Sequence, residues 1–484
     1  MLTRSQGARV EAPASAPAGR QSQPGATSTA NSDEPLPRRG LVFFIVSMAL
    51  FMASVDQTVV ATALRAIQTD LGAGLEWTGW TVTIYALGQV LVMPLAGKFS
   101  DLYGRKKIFL IGAVLFTGAS LACGLAGNIY LLVVLRAIQA IGGGAFLPSA
   151  TGIVADHFGR NRDRALGMFT SIFPIGGIVG PILGGVFVTY WSWRGIFLVN
   201  VPIGVVLIIM CFIFIPESAR RPSKKIDVYG VVLLGALILS AMLGITYLGG
   251  GNTSVLDPGF VVPEAIAAIT LVLFVRHARL GSAPFIPLEL LRGRGFGTMN
   301  LINFLHGCTA LGFGALVPLY AYDRFGIAIL QGGTLLTARA VGMICVAGLA
   351  VLALRRTGYR LPMTIGFSLI AAGLVAMALT PSSVPPYAWL AAVAGVTGVG
   401  MGLGLPAANN AILSLAPDQA ASIAGMRGMF RQCGSIMSIS IATAVVARSS
   451  YPGAALGHIF LIFAVVLVCV LPLVRKVPEH HGEW

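Results

Sequence analysis

The chain has 484 residues, of which 11% are charged and 56% hydrophobic, and 60 are Gly. A soluble domain carries about 25% charge, so this composition excludes a soluble protein of this length, and its hydrophobicity excludes a disordered one. What remains is an all-α polytopic membrane protein whose helices pack through small residues.

The formal charge is +15, from 33 Lys and Arg against 18 Asp and Glu. In a soluble protein that balance would suggest nucleic acid; in a membrane protein it first suggests topology.

Residues 1–38 are rich in Ala, Pro, Ser, Gln and Gly and hold no apolar run, so they are expected to form a disordered cytoplasmic tail without a secretory signal. Apolar stretches then follow at 41–63, 77–97, 108–126, 129–154, 164–189, 194–216, 227–249 and 260–275. They continue at 297–320, 331–353, 361–380, 387–413, 420–447 and 455–474. Each is long enough, or nearly so, to cross a core of about 30 Å, the eighth being the shortest. Fourteen spans place both termini on one side of the membrane. With that side cytoplasmic, inner segments hold 25 of the 33 basic residues and outer loops only Arg65, Arg194, Arg324 and Arg448. This bias supports both orientation and span count, because one missed helix would invert every later loop. The positive charge is thus read as topology, with no nucleic acid partner. The Gly-rich stretch at 249–252 reads as a turn between the seventh and eighth spans.

Catalytic signals are missing. The chain has no GxxxxGK[ST] phosphate loop and no HExxH, and its six Cys are scattered without a CxxC pair. They are expected as buried free thiols. No enzyme, metal or cofactor is expected, so any uphill transport must draw on an ion gradient or on a partner.

Asp56 is the one acid well inside a span, in Ser54-Val55-Asp56-Gln57-Thr58. A carboxylate at such depth is costly and marks function by default, and burial favours its protonated form. Its partner follows from depth. Asp56 lies about 22 Å above the inner start of span one, and Arg136 about 20 Å above the inner end of span four, at 1.5 Å per residue. Arg136, Gln139 and Gly143 share a helix face. The expectation is an Arg136–Asp56 pair that protonation releases; a purely structural ion pair is the alternative.

In span five, Gly176, Gly180 and Gly184 recur every four residues and form a groove, flanked by Gly177, Pro181 and Gly185. The turn after span two reads Gly97-Lys98-Phe99-Ser100-Asp101-Leu102-Tyr103-Gly104-Arg105. It suits a cytoplasmic gate in which Asp101 attracts a helix N-terminus and Arg105 pairs with carboxylate. A merely topogenic loop is the alternative. Tyr85, Gln89, Gln139, Asn303, His306 and Asn409 are candidate cavity residues. Asn300 and Asn410 are similar, and each is as well explained by an interhelical hydrogen bond. Arg427 and Arg431 lie four apart and are expected to pair with inner loops or lipid phosphate, with a substrate role as the alternative. Arg339 is a further intramembrane cation.

Together these stretches resemble the major facilitator superfamily, in its fourteen-span drug:proton antiporter branch. The loop at 97–107 resembles the signature between spans two and three, and Leu135 to Gly142 the span-four motif whose Arg is linked to proton transfer. Gly176 to Gly185 resembles the antiporter motif, and Asp56 to Val60 the branch's span-one motif. Trp80 to Leu87 and Trp193 to Gly204 resemble two further stretches of the branch. Ala61 and Arg65 stand where members often carry Asn and Pro, and the second-half loop at 355–360 keeps Gly358 but has Arg355 in place of the acid.

The resemblance implies two six-helix bundles, 39–217 and 281–476, with two additional helices in 218–280 and a short cytoplasmic tail at 477–484. It implies a proton-coupled antiporter in the inner (plasma) membrane, powered by the proton gradient. The cargo would be small amphipathic compounds, drugs or toxic metabolites, or alternatively one physiological solute such as an amino acid or a siderophore-like anion. A membrane sensor on the same fold is a remoter alternative. The expected partners are a small-molecule substrate, protons and the lipid bilayer. A periplasmic adaptor with an outer-membrane channel is a further partner to which no residue here points.

Overall fold

The computed structural model describes residues 39–479, apart from 218–226, 249–252, 281–283, 285, 294, 380 and 382. The tail at 1–38, the basic segment around Arg220, the turn at 249–252 and the last five residues of the chain therefore lie outside the described residues.

The first half contains α1 (Arg39–Asp70), α2 (Leu75–Tyr103), α3 (Arg105–Gly124), α4 (Ile129–Phe158), α5 (Arg162–Thr170), α6 (Ile172–Tyr190), α7 (Gly195–Leu198) and α8 (Asn200–Phe214). Two helices follow, α9 (Val228–Leu248) and α10 (Pro258–Leu280). The second half contains α11 (Leu288–Arg292), α12 (Phe296–His306), α13 (Gly312–Phe325), α14 (Ile329–Thr357) and α15 (Arg360–Ala378), then α16 (Pro386–Leu413), α17 (Ala420–Ala447) and α18 (Pro452–Val474). Among the described residues, 13 helical segments are long and apolar enough to span a membrane. The fourteenth crossing is interrupted: α12 and α13 are joined by a π-helical turn at Gly307–Leu311. The protein is an all-α membrane protein of two six-helix bundles with two helices between them.

Local chemistry explains several boundaries. Asn128 caps α4, its side chain accepting from the Leu131 N–H at 2.8 Å. Gly104 separates α2 from α3 at φ +107°, and Gly358 separates α14 from α15 at φ +66°. Side chains rarely adopt this region, so the two halves turn at matching places on matching residues.

Two expectations need correction. The eighth span is not short: α10 has 23 residues, because its helix continues past the apolar run through Arg276 to Arg279. His277 there meets Asp227 at 2.8 Å and ties the end of α10 to the start of α9. Nor is span nine one continuous α-helix. Gly307 packs so closely on the Arg431 carbonyl that a Cβ would overlap it, and the helix widens at that contact.

In the first bundle α1 packs along α6, α2 along α4, and α3 along α4 and α8; in the second, α14 and α15 both pack on α16. The bundles meet most closely where α2 crosses α17, and α9 leans on that pair. Small residues permit this crossing. A Cβ at Gly97 would strike the Ala421 carbonyl, and one at Gly425 the Met93 carbonyl.

Candidate functional site

Asp56 and Arg136 are both wholly buried. Arg136 Nη1 donates to Asp56 Oδ2 at 2.6 Å and to Gln139 Oε1 at 2.7 Å, while Arg136 Nε donates to the Thr81 carbonyl at 3.1 Å. Gln139 Nε2 donates to Asp56 Oδ1 at 2.9 Å and to Ser120 Oγ at 2.7 Å. Asn200 Nδ2 closes the cluster on Asp56 Oδ1 at 3.3 Å. The guanidinium lies over the Tyr85 ring at 4.0 Å. Four helices, α2, α3, α4 and α8, thus converge around Asp56 of α1, and Gln139, one turn from Arg136 on α4, contacts both charges. Such a buried pair depends on its hydrogen bonds; within the cluster Arg136 Nη2 and Tyr85 Oη have no hydrogen-bond partner among the described residues. Sequence reading did not select Asn200 or Ser120, although a polar residue in an apolar span was the available signal.

The span-five glycines divide by face. At Gly176, Gly180 and Gly184 a Cβ would overlap the side chains of Ser54, Thr58 and Thr62 respectively, so α6 lies directly on α1. Gly177 and Gly185 have nothing within 4 Å of such a Cβ, and Pro181 is exposed.

The loop after α2 meets the second bundle. Asp101 Oδ2 accepts from the Ser422 N–H at 2.8 Å and from its hydroxyl at 2.7 Å, capping the first turn of α17. Arg105 pairs with Asp101 at 3.4 Å, also pairs with Asp156, and donates to the Gly152 carbonyl at 2.6 Å. More contacts join the bundles at this same end. Tyr359 Oη donates to Asp163 Oδ2 at 2.7 Å, Asn410 Nδ2 to the Asp163 carbonyl at 3.0 Å, and Arg162 Nη2 to the Leu413 carbonyl at 3.3 Å. Burial and the Asp163 carboxylate both push the Tyr359 phenol well above its usual range.

A cavity of about 210 Å³ lies between the bundles. The first bundle lines it with Ser54, Thr58, Thr170, Phe173, Gly177 and Ile178, and the second with Leu336, Arg339, Met343, Met401, Leu405 and Arg431. None of the six cavity candidates from the sequence lines it. Gln139 and Tyr85 belong to the Asp56 cluster, and Gln89 is buried in α2. Asn303 donates to the Met299 carbonyl at 2.7 Å in its own helix. His306 and Asn409 are buried in the second bundle. Which helix faces face each other across the bundles is a tertiary fact that polarity alone does not encode.

Arg427 and Arg431 also depart from expectation. Arg427 is only 1% exposed, out of reach of lipid phosphate, and among the described residues neither has a carboxylate partner. The thiols depart in part: Cys123, Cys211 and Cys308 are buried, whereas Cys345 and Cys469 are exposed on helix surfaces.

Comparison with known proteins identifies the architecture. A family model described as Major Facilitator Superfamily matches residues 46–438 and 299–484. "Multidrug transporter protein MdtP" of Bacillus subtilis is 28% identical over 419 residues, covering 85% of this chain and 76% of that protein. "Multidrug resistance protein 3" of Bacillus subtilis is 30% identical, covering 75% and 71%. Among solved structures, the human organic anion transporter MFSD10 (TETRAN) superposes with a TM-score of 0.68 at 16% identity, covering 91% of this chain and all of that one. The proton:xylose symporter XylE superposes at 0.66 with 14% identity, covering 93% and 98%. These two structures bear on the fold alone. The chain belongs to the Major Facilitator Superfamily and is a transporter, not an enzyme.

Proposed function

We propose that this protein is a proton-coupled antiporter that exports small amphipathic compounds across the plasma membrane by alternating access. The observation that carries this reading is the Asp56–Arg136 pair, buried to 0% exposure in α1 and α4. While Asp56 is ionised, Arg136 and Gln139 hold it and the four converging helices stay locked. A proton on Asp56 removes the ion pair and leaves Arg136 buried without its counter-charge, an expensive state that favours rearrangement. Proton loading is thereby linked to helix movement.

The two gates follow the same reading. The end bearing Asp101 and Arg105 is the cytoplasmic one by its basic loops, and its latch onto Ser422 breaks when the inner side opens. The α1–α6 glycine seam lets α6 slide on α1, which carries Asp56, and Gly176, Gly180 and Gly184 keep that seam closed to protons and cargo. Residues 39–217 and 281–476 act as the two moving halves. Names of relatives such as multidrug resistance protein 3 support drug-like cargo.

The test is export by the purified protein in vesicles under an imposed pH gradient, read with a fluorescent drug panel. Wild type should export at least one compound, and Asp56→Asn should lose gradient-driven export. Full gradient-driven export by Asp56→Asn refutes the coupling role.

A further inference from the structure

The second bundle contains intramembrane cations that the coupling scheme does not use, Arg427 buried and Arg431 and Arg339 partly so. Arg431 lies at the wall of the interbundle cavity, over the Phe173 ring of the first bundle at 5.9 Å. Arg427 sits one turn away on the same face of α17 and is 1% exposed, yet its Nε and Nη1 have no hydrogen-bond partner. His306, 3% exposed, is likewise unpartnered at both ring nitrogens. The charges of Arg431, Arg339 and Arg427 all act on that ring. Asn409, 1% exposed, has both amide atoms unpartnered.

Physical chemistry makes this arrangement informative. A buried guanidinium without a carboxylate costs several kcal/mol, and an unpaired polar group adds about 1–3 kcal/mol. The Asp56 carboxylate is engaged within the first bundle by Arg136, Gln139 and Asn200. Besides Arg339 and the hydroxyls of Ser54, Thr58 and Thr170, the cavity lining is apolar, with Phe173, Ile178, Met343, Met401 and Leu405. Flexible methionines suit ligands of varied shape. One region of the cavity wants negative charge and the remainder wants hydrocarbon.

We propose that this cavity is an anion subsite, in which Arg431, with Arg427 one turn behind it, takes the carboxylate or sulfonate head of an amphipathic organic anion whose apolar body lies against Met343, Met401 and Leu405. This rests on the exporter reading above and names its substrate class. The ligand is a small cargo molecule rather than an anionic lipid, because the cavity is walled by both bundles and Arg427 is closed off from the outer surface.

The test measures binding, not transport. The purified full chain, in detergent with neutral phosphatidylcholine, is titrated with naphthoate, naphthamide and naphthylmethylammonium, and its thermal midpoint is followed. Naphthoate should raise the midpoint saturably, and the neutral and cationic analogues should not. Arg431→Gln and Arg427→Gln should each weaken naphthoate roughly tenfold or more, as for a lost hydrogen bond to a charged group. Arg431→Lys, which keeps the charge, should retain the preference for naphthoate over naphthamide, and Arg475→Gln, outside the site, should bind as wild type. Equal shifts from all three analogues, no shift from naphthoate, or undiminished binding by a folded Arg431→Gln would overturn the proposal. So would loss of the naphthoate shift on adding phosphatidylglycerol, which assigns the site to a lipid headgroup. Asp56→Asn should still bind naphthoate, so failure of anion binding and failure of proton coupling are separable.

Discussion

Asp101 and Ser422 are 321 positions apart in sequence, yet the Asp101 carboxylate accepts from both the backbone N–H and the hydroxyl of Ser422. One acid from the first bundle thereby caps a helix of the second. The contact combines a hydrogen-bonded N-cap with a favourable charge at the positive end of α17. It joins the bundles at the end where Tyr359, Asn410 and Arg162 also cross between them.

Asp101→Ala should therefore loosen this end without unfolding the bundles. Losing such a cap costs about 1 kcal/mol, enough to shift a gate equilibrium about fivefold. A cysteine at Ala421, which is buried beneath Gly97, reports the change. Maleimide labelling of Ala421→Cys should rise several-fold when Asp101→Ala is added. Unchanged labelling would show that Asp101 does not hold the gate.

The Asp56–Arg136 pair predicts a non-additive cycle. Removing Arg136 alone strands a buried carboxylate at a cost of about 3–5 kcal/mol. Arg136→Gln and Asp56→Asn should thus each lower the thermal midpoint strongly, the second because it leaves Arg136 buried without its counter-charge. The double variant Asp56→Asn with Arg136→Gln should be more stable than Arg136→Gln alone. Additive losses would mean that the two charges do not depend on each other.

How much of this was readable in the sequence differs from feature to feature. The spans and the shared depth of Asp56 and Arg136 follow from 1.5 Å per residue along regular helices. The groove formed by Gly176, Gly180 and Gly184 follows from the four-residue repeat. The cavity did not follow, because Phe173, Met343 and Met401 look like ordinary lipid-facing residues until the two bundles are placed face to face. Asp101 was legible as a helix-capping acid, but its partner Ser422 carries no distinctive local pattern. The break at Gly307 was invisible for the same reason: its cause is the Arg431 backbone, more than a hundred residues downstream.

The α1–α6 seam predicts a face-dependent glycine scan. At Gly180 a Cβ would overlap Thr58 Oγ1 and approach the Val55 carbonyl to 2.9 Å, and that carbonyl cannot rotate away. Gly180→Ala should cost about 1–3 kcal/mol as an overpacked contact and should lower export sharply. Gly185→Ala meets open space and should leave expression, stability and export near wild type. Equal tolerance at both positions, read by thermal midpoint and drug export, would show that α6 is not seated tightly on α1.

Tyr359 and Asp163 give a prediction in which pH has a defined sign. Burial and the adjacent carboxylate hold the Tyr359 phenol well above its usual range, so the folded state favours the protonated hydroxyl. A folded pKa raised above the unfolded one contributes stability that is complete below the unfolded value, near 10, and fades only as pH rises beyond it. The hydrogen bond to Asp163, at 2.7 Å, should therefore act at full strength from pH 6 to about 9. Tyr359→Phe should destabilise the protein by about 1.5–3 kcal/mol, the range for a hydrogen bond to a charged group, with the same deficit throughout that interval. Above about pH 10 the gap between wild type and variant should narrow, since the unfolded wild-type chain then ionises its phenol while the folded state keeps the proton. Thermal melts at stepped pH check this, and a deficit that instead grew with rising pH would place the stabilising charge elsewhere than on Asp163.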